Sequence, residues 1–311
     1  MDSRAEKNFL AIDSGDQSTH CMKRFAALLL SAITAVAFQA KALPIAYPPS
    51  NKVTFSKRGS ISERSAGVPL AGGEIAAFDS SSKRAFLSSA SGVEVIDLAN
   101  PDAPVFVKTL DLTAAPFNLT SNNVSSVTSK NGVLAAAVIA NPKTANGTVI
   151  FIDAATDALL GTVAVGSVPD HVGFTPDGNL VLVAIEGELT DTADVNSDPA
   201  TDTIPGGVAI IDVSTADFAA FDAQAPALSS AGVRIFAGGK PSTDFEPEYF
   251  AVSPDSSTAM VTLQEANAVG ILDIATATFT SVVPLGEKDF STLMADFSDR
   301  DGAGASNLIN P

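Results

Sequence analysis

Carboxylates that recur near glycine and proline are the residues of this sequence best suited to chemistry. Glu186-Gly187-Glu188, Glu246-Pro247-Glu248, Glu265 and the pair Asp299 and Asp301 offer oxygen ligands and no nitrogen or sulfur ones. An oxygen-only set suits calcium, which takes about six to eight oxygens in loose geometry, and does not suit zinc. The competing reading is that these are solvated loop charges in a chain with 35 Asp and Glu, since no spacing here matches an EF-hand loop. A looser acidic run, Asp191, Asp194, Asp198 and Asp202, favours the solvated reading more strongly. Calcium is thus the one cofactor the residues suit, and otherwise none is expected.

Nitrogen and sulfur chemistry is nearly excluded. The chain has one cysteine, Cys21, two histidines, His20 and His171, and no tryptophan. Zinc sites of several His or Cys ligands, haem held by paired histidines and cysteine nucleophiles therefore fall away, and with them a redox quinoprotein. His171 is the single candidate general base in the body of the chain, and no Gly-x-Ser-x-Gly motif supplies it with a nucleophile. A structural histidine, buried or lining a channel, is the simpler expectation. The catalytic residues, if there are any, are not legible. A phosphoester hydrolase working through calcium-bound water would need no histidine, with Lys288 and Arg300 beside the acidic motif to hold phosphate.

The elements that must position these groups begin after an export signal. Met22-Lys23-Arg24 precedes the apolar run Phe25 to Phe38 and the small-x-small pattern Ala40-Lys41-Ala42, which reads as a secretory signal peptide over residues 22–42. Residues 1–21 then read as a leader ahead of the functional start. The apolar run is too short for an uncleaved anchor, because a bilayer core needs about 20 apolar residues. The whole chain has a net charge of −17, and the part beyond residue 42 carries 13 Lys and Arg against 31 Asp and Glu, a net −18. Such a field repels phosphate backbones and anionic lipid, so the expected partner is an extracellular ligand or cell-surface component, with no nucleic acid and no transmembrane segment. Cys21 lies ahead of the expected cleavage point, so stability rests on a core and on no disulfide.

Downstream, four segments end a strand on an apolar residue followed by aspartate: Ile96-Asp97, Ile152-Asp153, Ile211-Asp212 and Leu272-Asp273. Two of them share more. Pro169-Asp170-His171 aligns with Pro247-Glu248-Tyr249, and Thr175-Pro176-Asp177-Gly178 with Ser253-Pro254-Asp255-Ser256. The tetrads read as β-turns, with proline at the second position and a residue of positive φ later, so their aspartates are structural. Short alternating strands separated by such turns predict antiparallel meanders, and a four-stranded meander of about 40 residues is a β-propeller blade. The expected organisation is a linker or edge over 43–67, the repeat domain over 68–302 and a tail over 303–311. Insertions fall at Leu189 to Gly206 and at Phe218 to Ser230, the second Ala-rich enough to hold a short helix. Asn118, Asn123 and Asn146 open Asn-x-Ser/Thr triplets, read as plain loop residues.

These residues resemble the Tyr-Val-Thr-Asn type propeller repeats and, more closely, the choice-of-anchor I domain, related to cell-surface glycoproteins of biomineralising animals. The matching features are Glu186-Gly187-Glu188, Asp198-Pro199, Glu246-Pro247-Glu248-Tyr249, Gln264-Glu265 with Asn267-Ala268, Pro284-Leu285-Gly286 and Ser298-Asp299-Arg300-Asp301-Gly302. The resemblance implies an all-β propeller, exported to the periplasm, cell surface or medium, of which this chain carries about four blades of an incomplete, C-terminally truncated ring. It implies a binding or scaffold role first, and as the alternative a calcium-dependent phosphoesterase of alkaline-phosphatase or phytase type.

Overall fold

A computed structural model describes residues 56–187, 204–215, 223–224, 245–264 and 266–286. All but Ser56 belong to the compact unit Lys57–Pro311, and the leader and signal segments lie outside the described residues.

A short antiparallel pair, β1 (Glu63–Ser65) and β2 (Val68–Pro69), precedes four antiparallel sheets of four strands each. The first blade is β3 (Ala76–Asp79), β4 (Arg84–Ser89), β5 (Gly92–Asp97) and β6 (Val105–Leu110). The second is β7 (Val124–Lys130), β8 (Val133–Val138), β9 (Asn146–Asp153) and β10 (Leu159–Ser167). The third is β11 (Pro169–Phe174), β12 (Leu180–Ile185), β13 (Gly207–Asp212) and β14 (Ala223–Gln224). The fourth is β15 (Pro247–Val252), β16 (Thr258–Leu263), β17 (Ala268–Asp273) and β18 (Thr278–Pro284). Strands pair in chain order in every sheet, as a meander requires. Of the Ala-rich stretch read as a short helix, Ala223 and Gln224 form a strand instead, because their backbones complete the sheet edge left by β13.

The recurring aspartates close the third strand of each blade. Each stands opposite the first residue of the second strand: Arg84 and Asp97, Val133 and Asp153, Leu180 and Asp212, Thr258 and Asp273. Their side chains then accept from the backbone of the turn that follows, as Asp97 does from Ala99 N at 2.7 Å and Asp212 from Ser214 N at 2.9 Å. The Thr175–Gly178 tetrad is likewise a β-turn, with Gly178 N donating to Thr175 O at 2.9 Å and Gly178 at φ 81°. Ser256 repeats the positive φ in the fourth blade, at 61°. Asp177 accepts from Thr175 Oγ1 and from Asn179 N, which confirms its structural role.

Packing between sheets follows the period-2 alternation of the middle strands. Leu134, Ala136 and Val138 of β8 join Phe86, Val93 and Val95 of the first blade in one core. Their alternates Ala135 and Ala137 join Val172, Val181 and Val183 of the third. The next interface repeats the device, with Leu182 and Val208 set against Phe245, Val261 and Leu263. A strand buried on both faces by neighbouring sheets is what successive propeller blades produce. Asp157 adds a polar lock between the first two blades, accepting from Arg84 Nη1 at 3.1 Å and pairing with Lys108 Nζ at 2.6 Å.

The two terminal sheets are finished differently. On the first blade the face away from the core carries Glu94, which is 0 % exposed. Arg64 Nε donates to Glu94 at 2.6 Å and Ala71 N at 3.1 Å, so the segment leading into the first blade covers that face. The fourth blade leaves Met260 and Val283, the alternates of the core residues Val261 and Val282, exposed on its far side.

Candidate functional site

The inner strand of each blade is its first, and the registers fix which residues are equivalent there. Ala76 stands opposite Leu87, Val127 opposite Ala136, Val172 opposite Val183 and Phe250 opposite Val261, in each case the fourth residue of the second strand. Two residues earlier in each blade come Glu74, Ser125, Asp170 and Glu248. In the last three blades the register slips at this point, between Val124 and Ser126, Pro169 and Val172, and Pro247 and Phe250. A bulge there bends the strand and re-aims the side chains beside it, a common device next to sites.

The consequence is electrostatic coupling among three carboxylates from three blades. The Asp170 carboxyl is pushed up to about 6, first by desolvation and then by the charges of Glu248 and Glu74. The Tyr249 hydroxyl is raised by desolvation and by the same three carboxylates. With its amide turned to donate, Gln264 Nε2 lies 3.0 and 2.6 Å from the two Glu248 oxygens, holding that carboxylate from the end of the second strand. The second blade has a neutral residue at the position, and Ser125 Oγ donates to Pro169 O at 2.6 Å, tying the second blade to the strand that carries Asp170.

Beside the carboxylates lies an aromatic layer. The His171 ring stacks on Tyr249 with centroids 4.6 Å apart and planes 17° apart, and Phe250 leans against it at 4.5 Å. Gly173 leaves room for Phe250, because a Cβ there would lie 3.0 Å from its Cε2. Burial lowers the His171 imidazole to about 4, so it is neutral at physiological pH and adds no positive charge to offset its acidic neighbours. Its Nδ1 is buried and makes no hydrogen bond among the described residues. His171 is therefore a half-buried, packed histidine. Its ring packs against the residue that aligns with it in the next blade.

Of the seven carboxylates singled out as metal ligands, Glu186, Glu246 and Glu248 are described and Glu188, Glu265, Asp299 and Asp301 lie outside the described residues, as do Lys288 and Arg300. Glu186 follows β12 directly, its amide donating to Val168 O at 3.0 Å, and occupies the place that Gln264 takes after β16. Glu246, at φ 38°, sits just before β15. Among the described residues no group of three or more His, Cys, Asp or Glu is arranged to hold a metal ion. Glu74 and Glu248 act on Asp170 through their charges. Glu74 was not among the expected site residues. Its signal was present, since Gly73-Glu74 precedes β3 as Pro169-Asp170 and Pro247-Glu248 open their strands.

Comparison with known proteins comes to bear on this geometry. The family model described as the choice-of-anchor I domain matches residues 74–310, a span that begins at Glu74. No curated protein matches the chain. Among solved structures, Kuenenia stuttgartiensis hydrazine synthase is similar at 14 % identity and TM-score 0.41, over 70 % of this chain and 75 % of that one. The β-propeller domain of Myceliophteria thermophila Cps50 (Swd1) is similar at 10 % identity and TM-score 0.47, over 69 % of this chain and 56 % of that one. A chain of the nidogen/laminin complex is similar at 10 % identity and TM-score 0.39, over 67 % of this chain and 62 % of that one. The chain thus spans little more than half the length of the second of these. No helix among the described residues is long and apolar enough to cross a membrane.

Proposed function

We propose that this chain, which belongs to the choice-of-anchor I family, is an exported or surface-attached propeller with a non-catalytic binding role, and that the inner-strand carboxylates take a cationic group of its partner. The observation that carries the reading is the raised carboxyl of Asp170, which desolvation and the charges of Glu248 and Glu74 push up together on strands of three blades. An ammonium or guanidinium group placed there relieves that repulsion and can rest on the face of Tyr249, since aromatic faces attract cations. The neutral His171 supports binding over catalysis, because an imidazole held near 4 is a weak base at physiological pH.

Thermal unfolding with two additives tests the proposal. n-Butylammonium, a lysine side-chain analogue, should raise the melting temperature of the wild type and not of Glu248→Gln, since a ligand of the folded state stabilises by mass action. Calcium should raise neither, and p-nitrophenyl phosphate should not be turned over. Calcium-stimulated hydrolysis that Glu248→Gln abolishes would replace this reading with the phosphoesterase one.

A further inference from the structure

A second site lies where the link from β6 to β7 meets the link from β8 to β9. The two segments enclose a cavity of about 200 Å³ lined by Asn118, Thr120, Asn141, Asn146 and Thr148. Its apolar wall is Leu119 with Ile139. In a chain of net charge −17, no charged residue lines it.

The walls are held from outside the cavity. Leu119 N donates to Leu112 O at 2.8 Å, Ile139 N to Asn123 O at 2.9 Å and Ala145 N to Pro142 O at 3.0 Å. Across the opening Asn141 N donates to Thr120 Oγ1 at 3.3 Å, which leaves the threonine proton free to donate. Asn118 commits one amide hydrogen, to Pro116 O at 3.2 Å. The side-chain amides of Asn141 and Asn146 and the hydroxyl of Thr148 spend no hydrogen bond on another described residue. Each amide offers two donor hydrogens and an acceptor oxygen, so the lining presents both polarities without charge.

We infer that this cavity is a binding site for a neutral polyhydroxylated ligand, a single hexose unit of a free or polymer-borne saccharide. Alternating hydroxyls need donors and acceptors at close intervals, and the apolar C–H face of a pyranose fits the Leu119 wall. The cavity is smaller than the ~300–1,000 Å³ that drug-sized ligands occupy, and so matches one ring and not a chain. A charged sugar gains no ion pair there. The inference does not rest on the cationic site, since none of Glu74, Asp170 and Glu248 lines the cavity.

Saturation-transfer NMR with glucose, galactose and mannose tests it, with glucuronate and glucosamine as charged counterparts. A ligand of about a dozen heavy atoms should bind at roughly millimolar Kd. We expect transfer to at least one neutral hexose, weakened about tenfold or more in the double variant Asn141→Ala/Asn146→Ala and also in the near-isosteric Thr148→Val, which guards against misfolding of the first. n-Butylammonium binding should be the same in all three proteins. No transfer to any hexose at ~10 mM, transfer unaltered by both variants, or preference for a charged counterpart would overturn the assignment.

Discussion

Replacing Asp170 with asparagine should stabilise the protein, and the gain should depend on pH in a stated direction. Asp170 titrates at about 6 in the fold against ~3.9 for a free aspartate. A folded-state pKa above the unfolded one means that ionisation opposes folding, so the cost is absent below about pH 4 and complete above about pH 6. Two units of difference correspond to about 3 kcal/mol as an upper bound. Asp170 is only partly buried, and solvent screening reduces this to about 1 kcal/mol. At neutral pH the Asp170→Asn variant should therefore melt about 2–4 °C above the wild type, and the two should coincide near pH 4. Differences between the proteins cancel the titration of His171, which both share. Urea unfolding at pH 7.5 and pH 4 measures the gain directly. A variant equal to or weaker than the wild type at pH 7.5 would refute the claim that Glu74, Asp170 and Glu248 repel one another in a desolvated place.

Three further perturbations probe the elements that hold the site. Arg64→Met strands a wholly buried Glu94 without its ion-pair partner and should cost about 3–5 kcal/mol in denaturant unfolding, a loss that Glu94→Gln in the same chain should partly restore. His171 titrates near 4 in the fold against ~6.5 unfolded, so its contribution is lost as pH falls from about 6.5 to 4, and His171→Phe should flatten the acid limb of the stability profile in that window. Gly270→Ala places a Cβ 2.7 Å from Phe279 Cε1 and should lower stability by about 1–3 kcal/mol through overpacking, seen as a lower urea midpoint; an unchanged midpoint would show that Phe279 can move aside.

The blades are legible in the sequence because their rules are local. A meander pairs neighbours along the chain, and the Asp that ends each third strand caps its own turn, so Asp97, Asp153, Asp212 and Asp273 mark the repeat by residue type and position alone. What escapes the sequence depends on contacts between distant segments. Glu94 alternates with Val93 and Val95 and so reads as a solvent-facing residue, yet it is wholly buried, with Arg64 and the Ala71 amide donating to it. Glu74 escapes because its blade lacks the Pro-Asp turn that aligns the third and fourth, although the registers place it with Asp170 and Glu248. The stack of His171 on Tyr249 joins two positions that the repeat makes equivalent. Their contact needs adjacent blades to present the same bulge side by side, which no single strand encodes.

The proposed function requires the inner-strand carboxylates to bind a cationic group. Isothermal titration of n-butylammonium at low salt into the wild type, Glu248→Gln and Asp212→Asn tests it most directly, since Asp212→Asn removes the same charge from a third-strand end. The account predicts one site in the wild type and in Asp212→Asn, weakened about tenfold or more, which is ~1.4 kcal/mol, in Glu248→Gln. Equal weakening in both variants would reduce the effect to net charge, and no binding to the wild type would contradict the account.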